Sequence, residues 1–125
     1  MITATRYTSP SQLSPIAAQE PQAAVNALAK KLAGGDGVIL HTPNGILAVS
    51  FEPHNVMFVH HATSAKDITD NTLMFLSDLA MANNAKWIAW ESRQSNLALS
   101  KMYIRLGAAI VGHDGTYIHW RIRAW

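Results

Sequence analysis

The period of the apolar residues changes along the chain, and this change restricts the fold more than any other feature. Residues 21–33 repeat apolar side chains every three to four positions, as an amphipathic helix does. Residues 38–62 alternate at every second position and are divided by turns at Pro43-Asn44-Gly45 and Pro53-His54-Asn55, which indicates three antiparallel strands. After residue 70, helical and strand patterns alternate. A mixed sheet with helices packed against it is the fold class that accommodates this order.

The predicted elements follow from these periods and from the turn residues between them. Residues 8–21 are rich in Ser, Pro and Gln and should form a loop or a broken helix. We predict an α/β fold with a mixed, mostly antiparallel sheet, in the order β-α-β-β-β-α-β-α-β-β within a single domain over residues 1–125. The strands are predicted at 2–7, 38–42, 46–52, 56–62, 87–90, 108–112 and 116–123. The helices are predicted at 21–33 (buried stripe Ala24, Val25, Leu28 and Leu32), 70–83 and 96–106.

Composition excludes several classes of function. The net charge is only +2 and no run of basic residues exceeds Lys30-Lys31, so no nucleic-acid partner is expected. The chain has no cysteine, which excludes disulfides and thiolate chemistry and fits a reducing compartment such as the cytoplasm. No apolar stretch is long enough to span a membrane. The six histidines show no metal-binding spacing, so no metal is expected.

The segment SNLALSKMYIRLGA, residues 95–108, carries the most specific motif. It places Asn96, Met102, Tyr103 and Gly107 in a fixed register behind a short buried strand. This register, together with the order of elements, resembles the GNAT superfamily of N-acetyltransferases. Leu99 stands where the family has a small residue, and position 108 holds Ala where the family usually has Phe.

The resemblance implies a cofactor, acetyl-CoA, and a set of roles. Tyr103 would protonate the departing thiolate, and Asn96 would contact the cofactor together with Ala62, Ser64 and Thr69. Tyr103 and Asn96 could each have a purely structural role instead. The Tyr103 ring can pack against the sheet, and Asn96 can cap its helix.

The segment TSAKDITDNT, residues 63–72, departs from the family pattern. The family binds the cofactor pyrophosphate there with a glycine-rich loop, but this chain has no glycine between Gly45 and Gly107. Asp67 and Asp70 would repel a phosphate by about 1 to 4 kcal/mol per pair, and Lys66 would offset one of them. The sequence therefore indicates a degenerate member of the family with no cofactor.

Three residues are candidates for a general base, should the site be active. His60 and His61 lie on the third strand of the meander, and Glu91 ends the WIAW strand, where polar groups gather near the cleft of α/β sheets. The alternative for each is an ordinary hydrogen-bonded or solvated side chain. Neighbours on a strand face opposite sides, so the two histidines are not expected to share a metal ion.

The chain terminates in RIRAW, with Arg121, Arg123 and Trp125 close together. Trp and Arg are enriched at binding hot spots, so we expect a protein partner or a second copy to bind there; the alternative is that Trp125 folds back onto the edge of the sheet. Two functions follow. The favoured one is a non-catalytic binding or structural component, similar to small GNAT-like proteins of tailed bacteriophages, found in the host cytoplasm or the virion. The alternative is an active acetyl-CoA-dependent N-acetyltransferase acting on a primary amine.

Overall fold

A computed structural model of the chain describes residues 2–43, 45–62 and 70–125. A 3₁₀ turn over Pro10–Leu13 and a single helical turn form the broken helix that was predicted for residues 8–21. The strands are β1 (Thr3–Arg6), β2 (Val38–Thr42), β3 (Gly45–Glu52), β4 (Val56–Ala62), β5 (Trp87–Arg93), β6 (Ala109–His113) and β7 (Tyr117–Arg123). The helices are α1 (Ser14–Ala17), α2 (Gln22–Gly34), α3 (Asp70–Ala82) and α4 (Leu97–Arg105).

All the strands belong to one seven-stranded sheet in the order β1-β2-β3-β4-β5-β7-β6. Neighbouring strands are antiparallel except for β4 and β5, which are parallel. The predicted mixed, mostly antiparallel sheet and the predicted meander are therefore confirmed. The parallel pair follows from the α3 crossover, which returns the chain to the same end of the sheet.

Apolar side chains cover both faces of the sheet. On one face, Val25, Leu28 and Leu32 of α2 pack against alternate residues of β2 and β3. On the other face, α3 and α4 cover a second cluster that includes Leu40, Met57, Ile88, Trp90, Tyr103 and Trp120. The predicted stripe on α2 is wrong in one position, since Ala24 is exposed. A small side chain there borders a cavity and contributes nothing to the core.

The connection between α2 and β2 requires a glycine at position 37. The Gly37 N–H donates a hydrogen bond to the Leu32 carbonyl oxygen at 2.9 Å, which closes the end of the helix. A Cβ at Gly37 would lie 2.7 Å from the Leu32 Cβ and 2.9 Å from its Cα. Real side chains do not tolerate such contacts with backbone, so this reversal is specific to glycine.

The parallel pair β4 and β5 separates part of the way along the strands. Register pairs join them from Val56 and Trp87 to Phe58 and Ala89. Beyond that point both strands continue, but within the described residues no further pair joins them. The prediction that Glu91 ends its strand is wrong, because β5 continues through Arg93 and pairs with β7 over its whole length.

The chain end is attached to α3. The backbone N–H of Trp125 donates to the Ser77 hydroxyl oxygen at 2.7 Å, and that hydroxyl donates to the Trp125 carbonyl oxygen at 2.8 Å. Arg121 lies elsewhere, with its guanidinium 3.8 Å from the centre of the Trp87 ring, and Arg123 is 5.8 Å from the same ring. None of the described helices is long and apolar enough to cross a membrane.

Candidate functional site

A cavity of about 690 Å³ occupies the gap where β4 and β5 separate. Because the gap passes through the sheet, residues from both layers of helices reach it. Four residues singled out in the sequence line it together: His60, Glu91, Asn96 and Tyr103. No motif in the sequence points to most of the other lining residues, which include Glu20, Lys31, Val59, Trp90, Arg93 and Tyr117.

Tyr103 lies on α4 with its ring held between two tryptophans. The ring is 3% exposed, and its centre is 5.2 Å from that of Trp90 and 5.4 Å from that of Trp120, both in edge-to-face geometry. Burial raises the pKa of the Tyr103 hydroxyl to about 12. The side chain therefore both packs against the sheet and borders the cavity as a protonated phenol at neutral pH.

Asn96 begins helix α4 as its N-cap. Its side-chain oxygen accepts a hydrogen bond from the Leu99 backbone N–H at 3.1 Å. This bond satisfies one of the free donors of the first turn. The capping role expected as the alternative is therefore present, and a contact with a cofactor stays a prediction.

His60 is the extra residue of a bulge in β4. Ala48 of β3 pairs with residue 61 and Val49 pairs with Val59, so position 60 has no partner of its own. The His60 Nε2 and the buried Ser50 hydroxyl are 2.5 Å apart. Burial, and to a smaller extent the charge of Lys31, lowers the pKa of His60 to about 4. The imidazole is therefore neutral at pH 7.

Glu91 pairs in register with His119 of β7. The His119 Nδ1 is 3.1 Å from one Glu91 carboxylate oxygen, and the His119 Nε2 is 3.5 Å from a carboxylate oxygen of Asp114. Backbone N–H groups of Tyr117 and Thr116 donate to Asp114 and hold the pKa of its carboxyl below the ordinary value. Sequence inspection missed this array, because only the pairing of β5 with β7 brings its members together.

Several predicted site residues cannot be placed. Ser64 and Thr69 lie outside the described residues. His61 and Ala62 belong to β4, but the description does not extend to their side chains. In the part of the chain that is described, no group of three or more His, Asp or Glu side chains is arranged to hold a metal ion.

The cavity wall contains a hydrogen-bond donor that the described residues do not satisfy. The indole nitrogen of Trp90 is buried and has no acceptor among them. A buried donor left unpaired costs about 1 to 3 kcal/mol. A ligand carbonyl or amide oxygen is the kind of group that would satisfy it.

Comparison with known proteins gives matches among solved structures only. No protein-family model and no curated protein sequence matches the chain. A Bacillus subtilis acetyltransferase, solved in complex with CoA, superposes with a TM-score of 0.68 at 10% identity, over 99% of this chain and 98% of that one.

Two further structures agree with this match. A GNAT-family acetyltransferase from Bacillus cereus has a TM-score of 0.63 at 16% identity, over 100% of this chain and 99% of that one. The spermidine/spermine N-acetyltransferase of Vibrio cholerae has a TM-score of 0.64 at 12% identity, over 99% of this chain and 95% of that one. The strand order, the separated β4 and β5 strands and these superpositions together establish that the chain has the fold of the GNAT superfamily of N-acetyltransferases.

Proposed function

We propose that the protein is an acyl-CoA-dependent N-acyltransferase that acts on a primary amine in the cavity between β4 and β5. One observation carries the proposal. His60, Glu91, Asn96 and Tyr103 come from three different elements, and they line the same cavity. This convergence supports the alternative drawn from the sequence over the non-catalytic function.

Tyr103 is the proton donor in this proposal. Its raised pKa keeps the phenol protonated across the physiological range, and the contacts with Trp90 and Trp120 fix the ring. A general acid needs both a proton and a fixed position near the leaving atom. An ordinary phenol already carries its proton at neutral pH, so burial only makes Tyr103 a weaker acid, and the contribution of the fold is the fixed position that the aromatic cluster supplies.

Glu91 is the better candidate for the general base. The His60 Nε2 is already engaged with Ser50, and the positive charge of Lys31 acts on the same ring. An ammonium substrate is repelled near Lys31 and attracted to a carboxylate. In the proposed reaction the substrate binds as an ammonium ion, loses a proton and attacks the acyl carbon as the free amine, and the Glu91 carboxylate accepts the proton released from the nitrogen. The C–S bond of the thioester then breaks, and Tyr103 protonates the departing thiolate.

The cavity offers a place for the acyl end of the donor. Asn96, Leu99 and Tyr103 of α4 and Val59 of β4 would line the acyl end, and the unpaired Trp90 indole suits a ligand carbonyl. Acyl-CoA, when bound, supplies an acyl group attached through a thioester. The pyrophosphate end would fall on segment 63–72, where the sequence offers no glycine.

Calorimetric titration with acetyl-CoA and with free CoA tests the proposal. We expect a Kd below about 100 μM, which corresponds to more than about 5 kcal/mol of binding free energy. Turnover is then followed with a thiol reagent over a panel of primary amines. The chain contains no cysteine, so every thiol detected is released CoA.

Glu91→Gln provides the matched variant. It should bind acetyl-CoA like the wild-type protein while turnover falls by about 10²-fold or more, the usual contribution of a general base. Absence of binding at millimolar acetyl-CoA would contradict the enzyme proposal.

The glycine-free segment favours a second candidate, a binding or structural component without a cofactor. Asp67 and Asp70 would lie where the family places a pyrophosphate and would repel it. A virion component of a tailed bacteriophage is one form of this proposal. It predicts no CoA binding in the titration above.

The expected protein partner also remains a proposal. We infer that a partner or second copy would contact Arg121 and Arg123, whose guanidinium groups lie near the Trp87 ring. Light scattering behind a sizing column would test for a second copy, and Arg121→Gln with Arg123→Gln should then shift the protein to monomer. We propose a cytoplasmic location for the enzyme, and the host cytoplasm or the virion for the second candidate.

A further inference from the structure

The side chains of Glu91, His119 and Asp114 form a connected array that leads away from the cavity. Glu91 lines the cavity. His119, on the adjacent strand, has one ring nitrogen 3.1 Å from Glu91 and the other 3.5 Å from Asp114. The two carboxylates contact opposite nitrogens of one ring, so they cannot ligate a common ion, and the array is not a metal site.

The far end of the array is held by backbone. Asp114 accepts hydrogen bonds from the N–H groups of Thr116 at 3.0 Å and Tyr117 at 2.8 Å, within the turn between β6 and β7. A carboxylate held by two backbone donors has little rotational freedom. The position of Asp114 is therefore fixed by the turn and not by contacts in the cavity.

We propose that His119 is a positioning residue, which holds one oxygen of the Glu91 carboxylate so that the other can accept the proton of the amine. Asp114 fixes the His119 ring in turn. The inference rests on the proposed function, in which Glu91 is the general base. It resembles the way in which a third group orients a catalytic imidazole, but here the imidazole orients the carboxylate.

The two contacts of the His119 ring differ in length. The Nδ1 contact at 3.1 Å is within hydrogen-bond range, whereas the Nε2 contact at 3.5 Å is longer. We take Nδ1–H as the donor to Glu91 because this is the shorter of the two contacts. The other charged or titratable side chains on β5, β6 and β7 are Arg93 on β5, His113 on β6, and Tyr117, Arg121 and Arg123 on β7.

A pair of amide substitutions separates positioning from general structure. In His119→Asn the side-chain amide nitrogen lies near the position of Nδ1 and can still donate to Glu91. In His119→Gln the longer side chain places the amide near the position of Nε2, toward Asp114. Both variants carry an uncharged amide, and the side chains of His119 and Glu91 are partly exposed. The melting temperatures of both variants should therefore match that of the wild-type protein.

The expected result is a difference in kcat between the two variants. His119→Asn should retain kcat within about threefold, and His119→Gln should lose about tenfold or more, since misplaced catalytic groups lose most of their effect. The KM for acetyl-CoA should be unchanged in both. His113→Asn, which alters an exposed histidine of β6 outside the array, serves as the control and should behave like the wild-type protein.

A second measurement does not depend on activity. Nitrogen-15 spectra of labelled histidine at pH 8.5 should find the His119 proton on Nδ1 in the wild-type protein, and a shift toward Nε2 in Glu91→Gln. Equal kcat values in the two amide variants, or an Nε2 proton in the wild-type protein, would overturn the proposal. A wild-type protein that neither binds nor turns over acetyl-CoA would overturn the proposed function and the catalytic role of His119, while the spectra would still decide whether the contact exists.

Discussion

At the scale of single residues, Tyr103 combines packing and chemistry in one side chain. Its ring is enclosed by Trp90 and Trp120, and the same side chain borders the cavity. Substitutions that remove only the hydroxyl, or the whole ring, should therefore have different effects.

Tyr103→Phe should lower kcat by about 10² because the general acid is lost, while the free energy of unfolding changes by less than about 1 kcal/mol because the ring remains. Tyr103→Ala should lower the free energy of unfolding by about 3 to 5 kcal/mol, as other aromatic truncations in cores do. Urea unfolding and steady-state kinetics of the same preparations measure both effects. A Phe variant with wild-type kcat would exclude Tyr103 as the acid.

His60 should make stability depend on pH. Its pKa is about 4 in the folded protein and returns to about 6.5 on unfolding. Between pH 4 and 6.5 the unfolded chain binds a proton at His60 that the folded protein does not. The contribution of His60 to the free energy of unfolding is therefore fully present above pH 6.5 and is lost as the pH falls toward 4. One pKa unit corresponds to about 1.4 kcal/mol, and partial exposure of the ring reduces the total loss to about 2 kcal/mol.

The variant His60→Gln isolates this contribution. Its free energy of unfolding should change less than that of the wild-type protein between pH 6.5 and 4, as measured by urea unfolding at each pH. Parallel curves for the two proteins would show that the ring is not held neutral in the fold.

At the scale of elements, the start of α4 depends on the Asn96 cap. Asn96→Ala should destabilise the protein by about 1 kcal/mol because the Leu99 N–H loses its acceptor. Asn96→Asp keeps an acceptor oxygen and should retain stability. Asn96→Asp removes the amide nitrogen but keeps the cap. If that nitrogen contacts the cofactor, this variant should show a raised KM for acetyl-CoA at unchanged stability.

The end of α2 offers a matched pair of glycines. Gly37→Ala should destabilise the protein by about 1 to 3 kcal/mol, because the new methyl group meets the backbone of Leu32. Gly34→Ala has open space around the new methyl and should be neutral or stabilising by up to about 1 kcal/mol. Thermal unfolding of the two variants checks the difference, and equal melting temperatures would contradict the close packing at this turn.

The elements were predictable from sequence because their determinants are local. The apolar periods predicted β2 to β4 within a few residues, and the Asn96–Tyr103–Gly107 register did the same for α4. The bulge at His60 and the continuation of β5 past Glu91 were not predictable, since each depends on which strand lies alongside. The same holds for the contact between Glu91 and His119, which are 28 positions apart in the numbering and meet only across the sheet.

At the scale of the whole molecule, the contact between Trp125 and Ser77 closes the chain over α3. Ser77→Ala should lower the free energy of unfolding by about 1 to 2 kcal/mol, the sum expected for two hydrogen bonds at a buried position. Ser95→Ala, at an exposed position, is the control and should change it by less than about 0.5 kcal/mol. Equal effects in the two variants would show that the contact at the chain end adds nothing to stability.

The short ladder between β4 and β5 has a mechanical consequence. Among the described residues, the three register pairs from Val56 and Trp87 to Phe58 and Ala89 join the two halves of the sheet directly, and the cavity lies where this pairing stops. A ligand bound in the cavity contacts residues on both sides of the gap and therefore links the two halves of the sheet. Its binding energy adds to the energy required to part them, and a rise in melting temperature becomes a direct assay for compounds that occupy the cavity.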